Sequence, residues 1–541
     1  MFKREVWHVP IGMWVLCAIY TLLAVVLRAY YVDAEGVRQA AALALGPDRS
    51  LLAFWNSHAL LGMMLMWLIV KPLSLLMPVL EATQLVGALA MGLTGLVLFR
   101  LLRLTGLGVG LCGWLTFLFL TANVALVSAT MLGLASLALL LMGLWARAAV
   151  GFLLQRDVEK NTAVRMGLLS ALISAVNLFA LLPALVLGAL TARRTGASAY
   201  WMGLLIPLLL LYLAIYFVVL PARVQMGGVE HPKPSLITWL WTGDGGSRLD
   251  PPALSGIYWQ AIGEQVQNAL LALGRPFRVR DVYQYFLGGG FITLLKGAFM
   301  LLLMIFIIVL FTIRAGGERV LAERPVRALR QLAGWSLLPM VLVILLWQGD
   351  RQACYLWAYF WAIVALAGWL ASYTELDTQR VVYVLPPLVL LMALFGVIKM
   401  STLRLSEYDS ERQEAEAVQA GIHKGDILIA AGRLADLLRY YAAGQAQVIA
   451  TEYWQTPDAD FQQLLEQARQ QKRRVIIWDY ALNPDYYRHA RTNVPARWLT
   501  AMERTQQHWR QRGGAYLRRY SKLVAYPTLI EWTGEVLTFE P

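Results

Sequence analysis

The sequence predicts a polytopic α-helical membrane protein of about 11 transmembrane helices with a small α/β domain at its C-terminus. Of its 541 residues, 58% are hydrophobic and only 15% are charged, whereas a soluble domain is about one quarter charged. Residues 204–220 and 297–311 carry no charge at all. Residues 400–541 are instead rich in Arg, Glu, Asp and Gln, so the hydrophobic bias belongs to the chain before residue 400.

The apolar segments give the predicted spans. A spanning helix needs about 20 mostly apolar residues, because unpaired backbone polar groups are costly in hydrocarbon. Segment 164–192 is long for one helix and carries Asn177 and Pro183, so we predict two short spans that meet near Asn177. The apolar segments are 10–28, 58–79, 83–99, 106–122, 127–146, 164–192, 199–220, 291–313, 333–348, 353–372 and 381–398.

Basic residues predict the sides of the membrane. Lys3 and Arg4 place the N-terminus in the cytoplasm, and four later basic loops can join it there only if one early apolar segment does not cross. We assign that role to 58–79, which contains two prolines and would lie at the interface. If it crosses instead, the C-terminal residues change side. The four loops are Arg100/Arg103, Arg147 to Arg165, Arg193/Arg194 and Arg314 to Arg330.

These sides define two predicted domains. Residues 1–399 form a transmembrane domain whose large extracytoplasmic loop, 221–290, includes an amphipathic stretch at 255–274. Residues 400–541 form an extracytoplasmic domain in which strands at 425–430, 447–451 and 473–481 alternate with helices at 434–442 and 459–471. Such alternation predicts an α/β domain with parallel strands. Asp426, Glu452 and Asp479 lie near the strand ends, where we expect them to be solvated.

The remaining composition excludes several function classes. The net charge of +13 comes from bases in short loops between apolar segments, so it indicates membrane topology and no nucleic-acid partner. The three cysteines have no paired spacing, and we predict no metal site and no cofactor. No Walker, zinc-ligand or Gly-x-Ser-x-Gly pattern occurs.

Asp33 and Glu35 are the first candidate catalytic residues. They follow the first apolar segment at the predicted outer membrane edge, where a partly desolvated carboxylate can act as a general base. The alternative is that both acids only stabilise the N-terminus of the next helix. The residue types alone favour this helix-stabilising alternative over the catalytic one.

The order of motifs resembles the GT-C superfamily of glycosyltransferases, which take a sugar from a polyprenyl-phosphate donor. The resemblance rests on Asp33-Ala34-Glu35, on Ala42 to Gly46, and on Asn56-Ser57-His58-Ala59-Leu60-Leu61-Gly62. The paired short spans near Asn177 and the run from Arg380 to Pro387 are also similar. The resemblance covers most of the chain in the order of its segments. Only the motif of the first loop is moderately specific to the superfamily.

The resemblance implies an inverting transferase at the outer face of a bacterial cytoplasmic (inner) membrane, working on a glycan, lipid or protein acceptor of the cell envelope. Asp33, with help from Glu35, would deprotonate an acceptor hydroxyl. The leaving phosphate needs a cation. Lys71 and Arg351 are the candidates, and His58 would bind the sugar or phosphate of the donor. The alternative for both Lys71 and Arg351 is that the long side chain only places its charge at the membrane surface and does not bind the donor.

Two departures keep other functions open. Many GT-C enzymes have another acid in the second outer loop, but residues 121–131 contain none, and no proline follows His58. The alternatives are a lipid-linked sugar flippase or transporter, and a non-catalytic membrane subunit of a polysaccharide assembly complex.

Overall fold

The structure is a computed structural model of the chain. It describes residues 9–242, 305, 324–519 and 529–532, apart from short gaps at 33, 49–50, 132, 156–158, 193–195, 227, 347–350, 372–374, 406–408, 420, 443, 455, 491–495 and 514–516. The amphipathic stretch predicted at 255–274 and the span predicted at 291–313 therefore lie outside the described residues, save residue 305.

Helices dominate the described residues. Numbered over them, the α-helices are α1 (Ile11–Val26), α2 (Ala34–Leu45), α3 (Leu51–Phe54), α4 (Leu60–Leu73), α5 (Val79–Arg103), α6 (Val109–Thr121), α7 (Asn123–Met131), α8 (Gly133–Leu154), α9 (Lys160–Val176), α10 (Leu181–Thr191), α11 (Ala197–Ala214), α12 (Leu236–Thr242), α13 (Arg324–Leu346), α14 (Arg351–Leu370), α15 (Glu375–Leu403), α16 (Ser410–Gln419), α17 (Gly432–Ala442), α18 (Pro457–Gln470), α19 (Pro484–Ala490) and α20 (Ala496–Gly513). The strands are β1 (Arg223–Met226), β2 (Val229–Pro232), β3 (Ile427–Ala430), β4 (Gln447–Ala450), β5 (Val475–Trp478), β6 (Leu517–Arg519) and β7 (Leu529–Trp532).

Several helices are long and apolar enough to cross a membrane. Four described helices qualify, and α6 with α7 adds a fifth if this pair, bent by 59°, is one span. Four shorter apolar helices accompany them, and the total of about 11 spans stays a prediction. The four long spans are Val79–Arg103, Gly133–Leu154, Ala197–Val219 and Val381–Ile398.

The predicted break at Asn177 is confirmed. Helix α9 ends at Val176, and Asn177 adopts an extended backbone with φ −154° and ψ 124°. Its side-chain oxygen accepts a 3.0 Å hydrogen bond from the N–H of Phe179. Phe179 lies in a single 3-10 turn, Leu178–Ala180, that precedes α10. Asparagine is favoured at such a position because its carbonyl satisfies an N–H that has no partner within the helix.

The chain divides into two compact units. Unit 1 contains residues 1–30, 58–212 and 256–405, and unit 2 contains residues 31–57, 213–255 and 406–541. Unit 1 is helical in its described part, and small residues allow its helices to approach closely. A methyl group added to Gly87 of α5 would lie 3.0 Å from both the carbonyl oxygen of Ala129 and the Cα of Gly133.

Unit 2 contains a five-stranded sheet in the order β4-β3-β5-β7-β6. Strands β3, β4 and β5 are parallel and lie within the three predicted strand segments, while β7 and β6 extend the sheet in antiparallel fashion. Every residue of β3 and β5 is buried, because helices cover both faces of such a sheet.

Two more segments pack onto this sheet within unit 2. The hairpin β1–β2 turns at Gly228, whose φ of +83° suits only glycine, and the Gly228 carbonyl accepts a 3.0 Å hydrogen bond from Gln447 of β4. Helix α2 packs against α17. The sheet is thus the base on which the first loop and part of the 221–290 loop are held.

Candidate functional site

Residues 31–57 contain the first predicted catalytic residues. Asp33 lies outside the described residues. Glu35 is half-buried in the first turn of α2, where its Oε1 accepts a 3.0 Å hydrogen bond from the amide of Gln39. A carboxylate in the first turn also interacts favourably with the helix dipole. For Glu35, this is the arrangement that the helix-stabilising alternative predicts.

Arg433 binds the backbone directly before Asp33. Its Nε donates a 2.6 Å hydrogen bond to the carbonyl oxygen of Val32, and its guanidinium lies 4.4 Å from the ring centroid of Tyr31. Its two other nitrogens bind Asp409 through both carboxylate oxygens, and Nη1 also donates to Glu411 at 2.9 Å. One side chain thus joins the first loop to the start of α16.

The Arg433 cluster is buried as well as charged. The side chain of Arg433 is 9% exposed and that of Asp409 is 1% exposed. Burial alone would lower the pKa of the Arg433 guanidinium, but the hydrogen bonds and charge of Asp409 and the charge of Glu411 raise it above its usual value. Removing one partner from such a pair is costly, because the other charge remains buried.

Local sequence explains how Arg433 reaches this position. Gly432 begins α17 one residue after the end of β3, with a φ of +54°, and its N–H donates a 3.0 Å hydrogen bond to the carboxylate of Glu452, just beyond β4. Arg433 therefore emerges at the carboxyl edge of the parallel strands, where α/β proteins place their functional loops. Asp409 is fixed as the N-cap of α16, since it accepts the N–H of Arg412 at 3.0 Å.

Helix α17 also binds the first loop beyond Asp33. Arg38 of α2 lies 3.3 Å from the carboxylate of Asp436, whose other oxygen binds Arg439 at 2.8 Å. Arg433 and Asp436 are three residues apart and so share one face of α17. That face therefore contacts the chain on both sides of Asp33.

A tryptophan holds the other end of the first loop. The hydroxyl of Ser57 donates to the backbone carbonyl of Trp239 at 2.6 Å, and the Trp239 indole N–H donates to the carbonyl of Trp55 at 3.1 Å. Trp239 is fully buried and lies 5.7 Å from the ring of Tyr216. The segment before His58 is thus fixed by residues of the 221–290 loop.

His58 belongs to unit 1 and precedes α4. Its carbonyl accepts a 2.8 Å hydrogen bond from the N–H of Leu178, next to the break at Asn177. Gly62 lies directly against the backbone oxygen of Val176, which leaves no room for a side chain. This close packing accounts for the glycine that ends the Asn56 to Gly62 motif.

Two of the predicted donor-binding residues, His58 and Lys71, lie near opposite ends of α4. Lys71 is exposed in the last turn of α4, whereas His58 precedes the first turn, and the 14-residue helix between them is roughly 20 Å long. Arg351 is the first residue of α14, and Trp357, farther along that helix, is buried within the protein. His58, Lys71 and Arg351 belong to unit 1, while Glu35 belongs to unit 2.

Sequence reasoning missed several residues that hold the first loop, and three of them are Arg433, its partner Asp409, and Trp239. Two had a local signal, since Asp409 begins a helix with an N-cap residue and Arg433 follows a glycine at the end of a buried strand. Trp239 had none. In the described part of the chain, no group of three or more His, Cys, Asp and Glu side chains is arranged to hold a metal ion.

Comparison with known proteins gives an informative match to a solved structure. No family model matches the sequence, and no curated protein does. ArnT from Cupriavidus metallidurans bound to undecaprenyl phosphate is similar in structure, with a TM-score of 0.57, 12% identity, and 96% of this chain and 97% of that chain covered.

Two further matches are weaker. The apo state of the same ArnT gives a TM-score of 0.43 at 12% identity, with the same coverage. The Archaeoglobus fulgidus oligosaccharyltransferase tethered to an acceptor peptide gives 0.46 at 13% identity, with 92% of this chain and 72% of that chain covered. The match to ArnT at a TM-score of 0.57 shows that the chain has a GT-C-like fold.

Proposed function

We propose that the protein is a GT-C glycosyltransferase that moves a sugar from a polyprenyl-phosphate donor to an acceptor hydroxyl. One observation carries the proposal: the chain matches ArnT, seen with undecaprenyl phosphate bound, over 96% of its own length and 97% of ArnT's. The hydrogen bonds to the loop that contains Asp33 add support, because a catalytic carboxylate must be held in place.

The proposed reaction is a single displacement with inversion at the sugar. Asp33 takes the proton of the acceptor hydroxyl, and the resulting oxygen nucleophile attacks the anomeric carbon. The bond from that carbon to the phosphate oxygen breaks, and polyprenyl phosphate leaves with the electron pair. Glu35 assists by its charge near Asp33 while it also stabilises the start of α2.

The donor phosphate requires positive charge at the membrane surface. We assign this role to Arg351 first, because a guanidinium can bind a phosphate through two parallel hydrogen bonds and an ammonium cannot. His58 contacts the sugar or phosphate. Lys71 is the weaker candidate, since it is exposed at the far end of α4 from His58.

The reaction takes place at the outer face of a bacterial cytoplasmic membrane, with 400–541 outside the cytoplasm. A reporter that is active only outside the cytoplasm tests this topology when it is fused after Arg412, where activity is expected. A fusion near Arg324 should be silent. The reverse pattern means that 58–79 crosses the membrane and that residues 400–541 lie inside.

The function is tested with purified protein, a radiolabelled polyprenyl-phosphate sugar and glycan, lipid and protein acceptors. The proposal predicts one polyprenyl phosphate released for every sugar transferred. No sugar transfer and no release of polyprenyl phosphate with any of these acceptors would contradict the proposed function. No cofactor is added, and the rate is measured with and without a chelator.

A flippase for lipid-linked sugars is the second candidate. The broken helix at Asn177 and the 59° bend between α6 and α7 favour it, because transporters use interrupted helices at their binding sites. In sealed vesicles, a flippase moves the intact donor between leaflets and releases no phosphate. A protein that does neither is the non-catalytic subunit of an envelope glycan assembly complex.

A further inference from the structure

Arg433 uses four of its five N–H groups in the arrangement described above, which leaves little of it for a substrate anion. A guanidinium has five N–H groups. Four of the contacts they make are to Val32, to both oxygens of Asp409 and to Glu411, with the Tyr31 ring packed against the same group. Two carboxylates against one cation also leave the cluster negative, which disfavours a phosphate.

The carbonyl that Arg433 binds belongs to the peptide bond between Val32 and Asp33. This carbonyl is part of a planar and stiff group, so a hydrogen bond to its oxygen restrains the backbone of Val32. A buried, charge-assisted hydrogen bond of 2.6 Å is a strong restraint. Arg433 therefore restrains the residue that directly precedes Asp33 in the sequence.

The restraint acts on both sides of Asp33. Arg433 holds Val32, and Asp436, on the same face of α17, holds Arg38 of α2. The contacts depend on the sheet of residues 427–478, because Gly432 turns from β3 into α17 under the carboxylate of Glu452. Residues of the C-terminal segment thus determine the geometry of the first loop.

We infer that Arg433 is a positioning residue for the loop of Asp33, and that the C-terminal α/β residues act in transfer by holding this loop and not by binding the donor. The inference rests on the proposed function. It explains why a C-terminal arginine is buried between two acids and a backbone carbonyl near the start of the chain. A base displaced by about 1 Å is expected to lose roughly 100-fold in rate.

The test compares Arg433→Met with Arg474→Met in the full-length purified protein. Arg474 forms another ion pair of unit 2 with a buried carboxylate, at 2.6 Å from Asp426, and it also donates a hydrogen bond to the carbonyl of Gly421. Both changes leave a buried carboxylate without its partner. The double variant Arg433→Met/Asp409→Asn removes that charge, so a folded protein remains available for measurement.

Two readouts are needed. Amide hydrogen exchange of residues 31–40 should be faster by about tenfold or more in both Arg433 variants, and unchanged with Arg474→Met. In the transfer assay, kcat should fall roughly 100-fold while KM for the donor stays within about threefold, because only transition-state geometry is lost. Arg433→Lys should restore little of the slow exchange or of kcat. An ammonium lacks the planar geometry with which the guanidinium binds both oxygens of Asp409 and the Val32 carbonyl.

Unchanged exchange in the folded double variant would overturn the inference, and so would a raised KM with an unchanged kcat, which assigns Arg433 to the donor. A wild-type protein that transfers no sugar refutes the proposed function separately. In that case the exchange experiment still decides whether Arg433 holds the loop.

Discussion

Ser57 and Trp239, 182 residues apart in the sequence, are joined by a 2.6 Å hydrogen bond from the serine hydroxyl to the tryptophan carbonyl. The indole N–H of Trp239 donates a hydrogen bond to the backbone carbonyl of Trp55 at 3.1 Å. Segment 236–242 therefore fixes the chain immediately before His58.

Trp239→Phe removes the indole donor and keeps an aromatic ring. We expect the free energy of unfolding to fall by about 1 kcal/mol, because the carbonyl of Trp55 loses its partner in a buried position. Thermal unfolding in detergent measures this. Trp335→Phe is the control, since Trp335 is 58% exposed and its replacement should change nothing. Equal shifts for both variants would contradict the role of Trp239.

Gly62→Ala introduces a methyl group that overlaps the backbone oxygen of Val176. Because this neighbour is backbone, α4 must move, and we expect a loss of about 1–3 kcal/mol in stability. Gly151→Ala in α8 is the matched control. No atom of the described residues lies within 4 Å of the added carbon there, and alanine is the better helix former. The yield of folded protein and its midpoint of unfolding distinguish the two variants.

Glu414 predicts a pH dependence of stability. Burial, with a smaller effect from the charge of Glu411, raises the pKa of Glu414 to about 8. The folded protein therefore holds a proton that the unfolded chain releases near pH 4.5. Stability from this group is complete below that pH and is lost as the pH rises towards 8.

Glu414→Gln should remove that dependence. We expect the variant to be more stable than the wild type at pH 8 and nearly equal to it at pH 5, by thermal unfolding across this range. A wild type whose stability stays level from pH 5 to pH 8, at constant salt, would contradict a protonated Glu414.

Arg351→Ala tests donor recognition. We expect KM for the lipid-linked donor to rise about tenfold or more, as loss of a hydrogen bond to a charged group implies, with little change in unfolding. Arg351→Lys keeps the charge and should recover only part of the affinity, because it lacks the paired geometry of the guanidinium. Lys71→Ala should leave KM unchanged. The reverse result would assign the phosphate to Lys71.

Local patterns in the sequence were enough for several parts of the fold. An asparagine and a proline within one long apolar segment predicted the break at Asn177. Runs of buried apolar residues predicted the parallel strands β3, β4 and β5. Strands β6 and β7 were missed, because charged residues interrupt both of them: β6 is Leu-Arg-Arg and β7 contains Glu531.

The site depends on contacts that no local pattern encodes. Arg433 and Val32 are 401 residues apart, and each is an ordinary residue in its own segment. Asp426 and Glu452 were expected to be solvated, and this was wrong: both are buried. Arg474 forms an ion pair with Asp426, and the N–H of Gly432 donates a hydrogen bond to Glu452. These protein groups replace the water that the two carboxylates would otherwise bind.

Asp33→Asn tests the central claim most directly, with Glu35→Gln beside it. The amide keeps the size of Asp33 but cannot accept the proton of the acceptor, so transfer from the polyprenyl-phosphate sugar should fall by about 100-fold or more with unfolding unchanged. Glu35→Gln should cost far less, since its carboxylate binds Gln39 within α2. The measurement is the initial rate of polyprenyl phosphate release under saturating donor. A rate for Asp33→Asn near that of the wild type would contradict the assignment of Asp33 as the base and leave it as a helix cap.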